Sequence, residues 1–219
     1  SLTNTTNAGI DANAQINQNS THTAEQGVRV SARTEVETVN MSGILSLNSL
    51  AAMVGIAPVA ATGGVGGAFL YVNYTKTTTA LIASGVQLRA EQLLVTADTI
   101  TKNLSIAVSG GRAGGCSVNG SISILVTNNT TTAAIDDGAT VRSDTGLAGV
   151  DENGDKTVDP VTEMSNIYVH ANDYSHIYNI VGAVSIAEEV GVGISAAINV
   201  MTRTTRSYIG NDEAGTDGP

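Results

Sequence analysis

The residues able to do chemistry gather in four places. The first is the acidic run Asp151-Glu152-Asn153-Gly154-Asp155, which continues to Asp159. Asp151, Asn153 and Asp155 stand at alternate positions and Asp159 falls at the ninth, the spacing with which an oxygen-donor loop opens on calcium. Carboxylates this close repel one another unless a hard cation joins them. The match is partial: Gly154 is fourth where an EF-hand loop has its glycine sixth, and Glu163 misses the twelfth position by one. Two readings stand, a Ca²⁺ site and a solvated acidic loop. Asn211-Asp212-Glu213 with Asp217 repeats the pattern more thinly.

The second place is the run from Tyr168 to Tyr178. On an extended strand Tyr168, His170, Asn172, Tyr174, His176 and Tyr178 share one face. Aromatic rings in a row offer a stacking surface for glycans or for a protein partner; the plainer reading is the outward face of a strand. His170 and His176 cannot share a metal, because six residues of strand separate them by about 20 Å. The third is Glu188-Glu189, a carboxylate pair inside an apolar stretch. Neighbours on a strand point to opposite faces, so a turn is expected there. Glycan cleavage would need two facing carboxylates, and Asp173 or Glu163 would have to meet Glu188. The fourth holds two imitations. Gly191-Val192-Gly193-Ile194-Ser195-Ala196 has the form of a dinucleotide fingerprint, which has meaning only between a strand and a helix. Cys116 has no histidine near it in sequence to act as a base and reads as a small packing residue. No catalytic constellation emerges, and the expectation is a protein that is not an enzyme and carries no cofactor apart from the candidate Ca²⁺.

The elements that must position these residues follow from composition and repetition. The chain has 219 residues, of which 42% are hydrophobic, 3% aromatic and 14% charged, against about 25% charged for an average globular domain. The apolar share argues against disorder, and the scarcity of aromatics argues against a thick core. Net charge is −10, and the few Lys and Arg are scattered, which excludes a nucleic-acid surface. From Thr38 to Thr75 no residue is charged, but Asn48, Ser49, Pro58, Thr62 and the glycines of 63–67 interrupt the run, so no spanning helix is expected. The start at Ser1-Leu2-Thr3-Asn4 has no signal-peptide pattern, and the expectation is a piece of a longer protein.

Three places share an apolar strand, a Thr/Asn stretch and a short strand ending in Ile: Ala68 to Ile82, Ser121 to Ile135 and Ser195 to Ile209. Upstream marks at Val30, Val95 and Val169 hold the last two units in a common register, with an extra stretch of about 21 residues near 143–163. Ile16 is read as the end of a truncated unit whose polar stretch is Thr3 to Thr6. The organisation expected is a truncated unit over 1–27, units over about 28–90, 91–142 and 167–210, an inserted loop over 143–163 and an acidic tail over 211–219. Alternation such as Val28, Val30 and Ala32 against Arg29, Ser31 and Arg33 is the period of half-buried strands. Units that cannot bury their inner faces alone must stack. The fold expected is all-β, a parallel β-helix or β-solenoid, with a β-sandwich as the alternative. Coils of roughly 18–26 residues would give on the order of ten turns, a rod about 45 Å long with a narrow bore of small apolar side chains.

Gly191 to Met201, followed by Thr204 to Gly210, resembles the repeats of filamentous-haemagglutinin-like and leukotoxin-type filamentous adhesins, and Asn172 to Ile180 resembles the segment that precedes them there. The resemblance runs from about Val28 onward. It implies a right-handed β-helical shaft in a long, secreted bacterial surface protein, a structural and adhesive role, and host-cell or bacterial surface glycans or proteins as partners. Open end coils allow a second reading, a self-assembling extracellular filament that pairs end to end. A polysaccharide-processing enzyme on the same fold is the third.

Overall fold

The computed structural model describes residues 1–18, 27–43, 63–90, 92–142 and 167–210. The described chain is all strand: β1 (Leu2–Ile10), β2 (Gln15–Ile16), β3 (Gly27–Gly43), β4 (Gly63–Ile82), β5 (Gln87–Arg89), β6 (Gln92–Ala113), β7 (Cys116–Ile135), β8 (Thr140–Arg142), β9 (Ile167–Ala187) and β10 (Val190–Ile209). They form three parallel sheets. Sheet A has the order β1-β4-β7-β10, sheet B β2-β5-β8 and sheet C β3-β6-β9. The chain runs out along sheet C, turns, returns along sheet A and crosses the short sheet B into the next coil. This is the expected parallel β-solenoid. Its cross-section is that of two long sheets packed face to face.

The ladders keep strict register. Val30 pairs with Val95 and Val95 with Val169; Ile82 pairs with Ile135 and Ile135 with Ile209. Gly63 aligns with Cys116 and Cys116 with Val190. The first step is 116 − 63 = 53 residues and the second is 190 − 116 = 74, so the later coil carries 21 more, as the repeat requires. Two assignments shift. Ile10, not Ile16, pairs with Ile82, while Ile16 pairs with Leu88. Aligning the apolar strands on their closing valines would put Val72 over Val126, but Val72 pairs with Leu125.

The coil is larger than expected. One 53-residue period is one coil, not two or three. β6 has 22 residues and β4 and β7 have 20 each, where strands usually run 3–10. The stack is therefore wide along the strands, about 65 Å at 3.3 Å per residue, and shallow, since coils rise only about 4.8 Å each. The ten-coil rod of about 45 Å is replaced by a short stack of broad arches.

The turns between sheets A and B are set by backbone conformation. Asn13, Gly85 and Gly138 each lie three residues past the conserved-register isoleucine and all have positive φ, at 64°, 74° and 73°. A Cβ on Gly85 would stand 2.4 Å from Asn13 Oδ1 of the coil beneath, so a side chain there is disfavoured by the left-handed conformation and would have to displace the Asn13 amide. At the far end the chain bends from sheet C to sheet A through Gly114-Gly115 and through Glu188-Glu189, the turn expected from the adjacent carboxylates.

The main apolar core lies beside sheet B, and a smaller cluster of Val72, Tyr74 and Leu125 lies at mid-strand. Beside sheet B, Val30, Ala32, Ile82, Leu88, Val95 and Ala133 pack in one buried cluster. Farther out the space between sheets A and C is filled by Thr34, Thr78, Thr99, Thr101, Asn103 and Ser105, all buried. The uniform apolar bore is thus corrected: small residues recur because the two sheets lie close, but many of them are polar. They pair across the gap. Thr99 shares hydroxyl contacts with Thr78 at 2.8 Å and Thr131 at 2.7 Å, and Thr78 donates to Thr34 at 2.8 Å.

This division gives a test. Ile82 is fully buried beside sheet B, whereas Ile122 lies on the outside of sheet A and is 45% exposed. Ile82→Ala should lower the unfolding free energy by about 2–5 kcal/mol. Ile122→Ala should change it by no more than about 0.5 kcal/mol. Urea denaturation of the two variants measures both.

Candidate functional site

The outer face of sheet C carries the row read from the sequence. Strand alternation in β9 turns Tyr168, His170, Asn172, Tyr174, His176 and Tyr178 outward. Tyr168 and His170 stack with ring centroids 5.6 Å apart and an interplanar angle of 27°. Tyr174 and His176 meet edge to face at 4.5 Å, with His176 Nε2 hydrogen-bonded to the Tyr174 hydroxyl. A groove of about 470 Å³ runs along Tyr174, His176 and Tyr178 and is completed by Glu37, Lys102 and Leu104 from the neighbouring strands. Tyr168 and His170 lie outside it.

Register explains this grouping. Glu37, Lys102 and His176 stand in one cross-strand row, and Val39, Leu104 and Tyr178 in the next. Lys102 Nζ lies 3.4 Å from Glu35 Oε1, and Arg33 Nη2 donates to Glu35 Oε2 at 3.0 Å. The Arg33 hydrogen bond, then the Lys102 ammonium, hold the Glu35 carboxyl below its ordinary pKa. Two exposed phenol rings beside ammonium, carboxylate and imidazole can stack on the apolar face of a sugar ring while hydrogen-bonding its hydroxyls. Sequence reading of β9 alone missed Glu37, Lys102 and Leu104. The signal was in the repeat: Lys102 lies seven residues after Val95 and His176 seven after Val169.

A second polar group lies between the sheets. Lys76 of β4 is fully buried, and its ammonium donates to Thr101 Oγ1 and stands 5.4 Å from the Tyr74 ring centre. The Tyr74 hydroxyl accepts from Asn103 Nδ2 at 2.9 Å and Asn40 Nδ2 at 2.7 Å. In the next coil Asn129 takes the register place of Lys76 and donates to Asp173 Oδ1 at 3.1 Å, which also accepts from Ser175 Oγ at 3.0 Å. Burial pushes the Lys76 amine down to about 8, and the negative charge of Asp173 opposes that shift. These groups tie sheet A to sheet C at mid-strand.

The remaining sequence candidates separate. Asp173 faces inward at mid-strand and Glu188 sits in the far turn, about 50 Å along the chain, so the two cannot act as a carboxylate pair. Gly191 and Gly193 lie within β10, where strand and not helix follows them to Ile209; a Cβ at Gly193 would stand 2.7 Å from the Ala183 carbonyl oxygen of sheet C, so close sheet packing accounts for the run. Cys116 begins β7 on its outer face and is exposed, so the reading of a small buried packing residue is corrected. The candidate Ca²⁺ ligands Asp151, Asn153, Asp155 and Asp159, Glu163 and the acidic tail lie outside the described residues. Among the described residues no group of three or more His, Cys, Asp or Glu is placed to hold a metal ion. No protein-family model, curated protein or solved structure matches the chain.

The buried amine makes a pH test. Lys76 binds its proton less tightly in the fold than in the unfolded chain, where its pKa is near 10.4. The unfolded state therefore holds more protons between pH 8 and 10.4, and the Lys76 contribution to stability rises over that window. Lys76→Met removes it. Subtracting the variant's melting temperature from that of the native chain should give a difference that is lowest at pH 7 and climbs from pH 8 to 10; a flat difference contradicts a buried, neutralisable amine.

Proposed function

We propose that this chain is a shaft segment of a secreted bacterial surface protein, acting by attachment and spacing rather than catalysis. The groove on the outer face of sheet C carries this reading: Tyr174 and Tyr178, 51% and 61% exposed, flank Lys102 and Glu37 on a rigid strand platform. Rigid aromatics with few polar partners suit recognition of surface glycans at low ordering cost. A coil that repeats in register also lets weak contacts add along a stack. The extracellular setting and the host-cell or bacterial partner belong to the same proposal.

One observation favours a second reading, a self-assembling filament subunit. Among the described residues β10, a 20-residue strand, is paired on one side only, with β7, and its other edge offers a long row of backbone donors and acceptors to a further strand. Rods whose apparent mass by light scattering grows with protein concentration favour this reading, and a stable monomer removes it.

Attachment is tested with fluorescent protein on a glycan array and on bacterial and host cells. The native chain should bind a defined glycan class, and Tyr174→Ala with Tyr178→Ala should weaken binding about tenfold or more while leaving the melting temperature unchanged. Equal binding by the double variant, or none by the native chain, overturns the proposal.

A further inference from the structure

The long strands reverse their amphipathic sense at mid-length. Near sheet B the arrangement is ordinary: Ile and Ala point inward, while Thr75, Thr77 and Thr79 of β4 and Asn128, Thr130 and Thr132 of β7 point outward. Beyond the Asn73–Val126–Val200 row the sense inverts. Outside sheet A stand Val65, Phe69 and Tyr71, then Val118 and Ile122, then Ile194 and Ile198. Inside stand Ser117, Asn119, Ser121 and Ser123 of β7, all buried, facing the same gap as Gly64, Gly66 and Ala68 of β4, while Leu70, Val72 and Leu125 keep the inner face apolar nearest mid-strand. Sheet C inverts at the same level: Glu35 and Glu37 give way outside to Val39 and Met41, and His176 to Tyr178, Ile180 and Val184. Apart from Leu2, Tyr174, Met201 and Ile209, every exposed large hydrophobic among the described residues belongs to these two outer faces of the far half.

The inverted half has the dimensions of a bilayer. From Asn73 back to Gly63 is about 33 Å at 3.3 Å per residue, and from Leu104 to Arg112 about 26 Å; a hydrocarbon core is about 30 Å thick. Among the described residues of this half, charge occurs only at its far end, at Arg112, Glu188 and Glu189. Tyr71 and Tyr178 mark the opposite boundary, the level at which phenols sit in membranes. Apolar outside and polar or small inside is the alternation of strands that face lipid. The two apolar faces also lie on opposite sides of one double layer. A single protein partner covers one of them and leaves the other in water, whereas a surrounding medium covers both. No helix of the described residues is long and apolar enough to cross a membrane, and that criterion does not address strands.

We propose that the far half of the solenoid embeds in a lipid bilayer, with the half beside sheet B standing in water. Hydrocarbon leaves no water for open sheet edges, so insertion goes together with strand addition at the outer edge of β10 and along β4 beyond its pairing with β1. This is independent of whether the groove on sheet C binds glycans.

The only cysteine, Cys116, is exposed at the far end of β7 and takes an environment-sensitive NBD label without any substitution. On mixing with vesicles of equal parts phosphatidylcholine and phosphatidylglycerol, its emission should rise several-fold, shift to the blue and be quenched by nitroxide-bearing lipid. The same label on Cys116→Ser/Thr130→Cys, on the polar outer half of β7, should stay aqueous. Ile122→Arg should weaken vesicle binding about tenfold or more, with circular dichroism confirming an intact fold. An unchanged signal at Cys116, or equal responses at the two label positions, overturns the proposal. So does label burial that depends on protein concentration and needs no lipid, which assigns the faces to a second copy of the chain.

Discussion

The structure depends on one constraint, parallel strands stacked in register. Once Val30, Val95 and Val169 share a ladder, every residue of a coil sits over its counterpart about 4.8 Å away. A substitution is then judged against the same place in the coil below. This is why Thr recurs at Thr78 and Thr131, with Thr34 and Thr99 facing them: a hydroxyl both donates and accepts, so a row of them satisfies itself across the sheets without water. It is also why Lys76 is anomalous. Its counterpart in the next coil is Asn129, a neutral side chain that bonds Asp173 in the same gap.

The polar interior has a cost that the geometry offsets only in part. Buried polar groups must find partners, and most here do, through Tyr74, Asn103 and the threonine row. Several do not. Ser123 Oγ, Thr127 Oγ1 and Asp173 Oδ2 lie buried with no hydrogen-bond partner in the described structure. Hydrophobic burial is concentrated beside sheet B, where twelve buried residues form one cluster, while the smaller cluster of Val72, Tyr74 and Leu125 lies at mid-strand. Cohesion therefore grades along the strands, strongest at the sheet B end. At the far end the sheets are held by backbone ladders, by the two tight turns and by small side chains that let the backbones approach.

Much of this was legible in the sequence, and the misreadings have a common source. The 53-residue step, the 21-residue insertion and the isoleucine ladder follow from repetition alone, because register is a property of spacing. The coil size was not legible. The stretch Thr75-Lys76-Thr77-Thr78 looks like a polar break between two strands, since it is polar on both faces. It is instead the middle of β4, where the inward face has turned polar before the outward face has turned apolar. A reader who expects one amphipathic sense per strand sees a loop there and divides one long strand into two short ones. The same expectation turned scarce aromatics into an apolar bore. The tyrosine row of β9 was found because it needs only the alternation of a single strand, whereas Lys102 and Glu37 come from other coils.

The reversal also bears on how the two ends of the coil can differ in use. In a strand of ordinary length the inward and outward sets are fixed by one core. A 20-residue strand spans two environments and can satisfy a different rule in each. Beside sheet B the apolar cluster and the Thr-rich outer face obey the rule for a protein in water. Past the row of Lys76 and Asn129 a small apolar cluster of Val72, Tyr74 and Leu125 comes first; beyond it the sheets are joined by polar contacts such as Asn119 to Ser185 at 3.1 Å and Ser121 to Ser109 at 2.9 Å, and the large apolar side chains stand outside. The buried polar zone is thus the condition for the apolar exterior. Toward the far end a gap closed by small, mutually bonding residues keeps the interior filled while both outer faces carry Val, Ile and Phe.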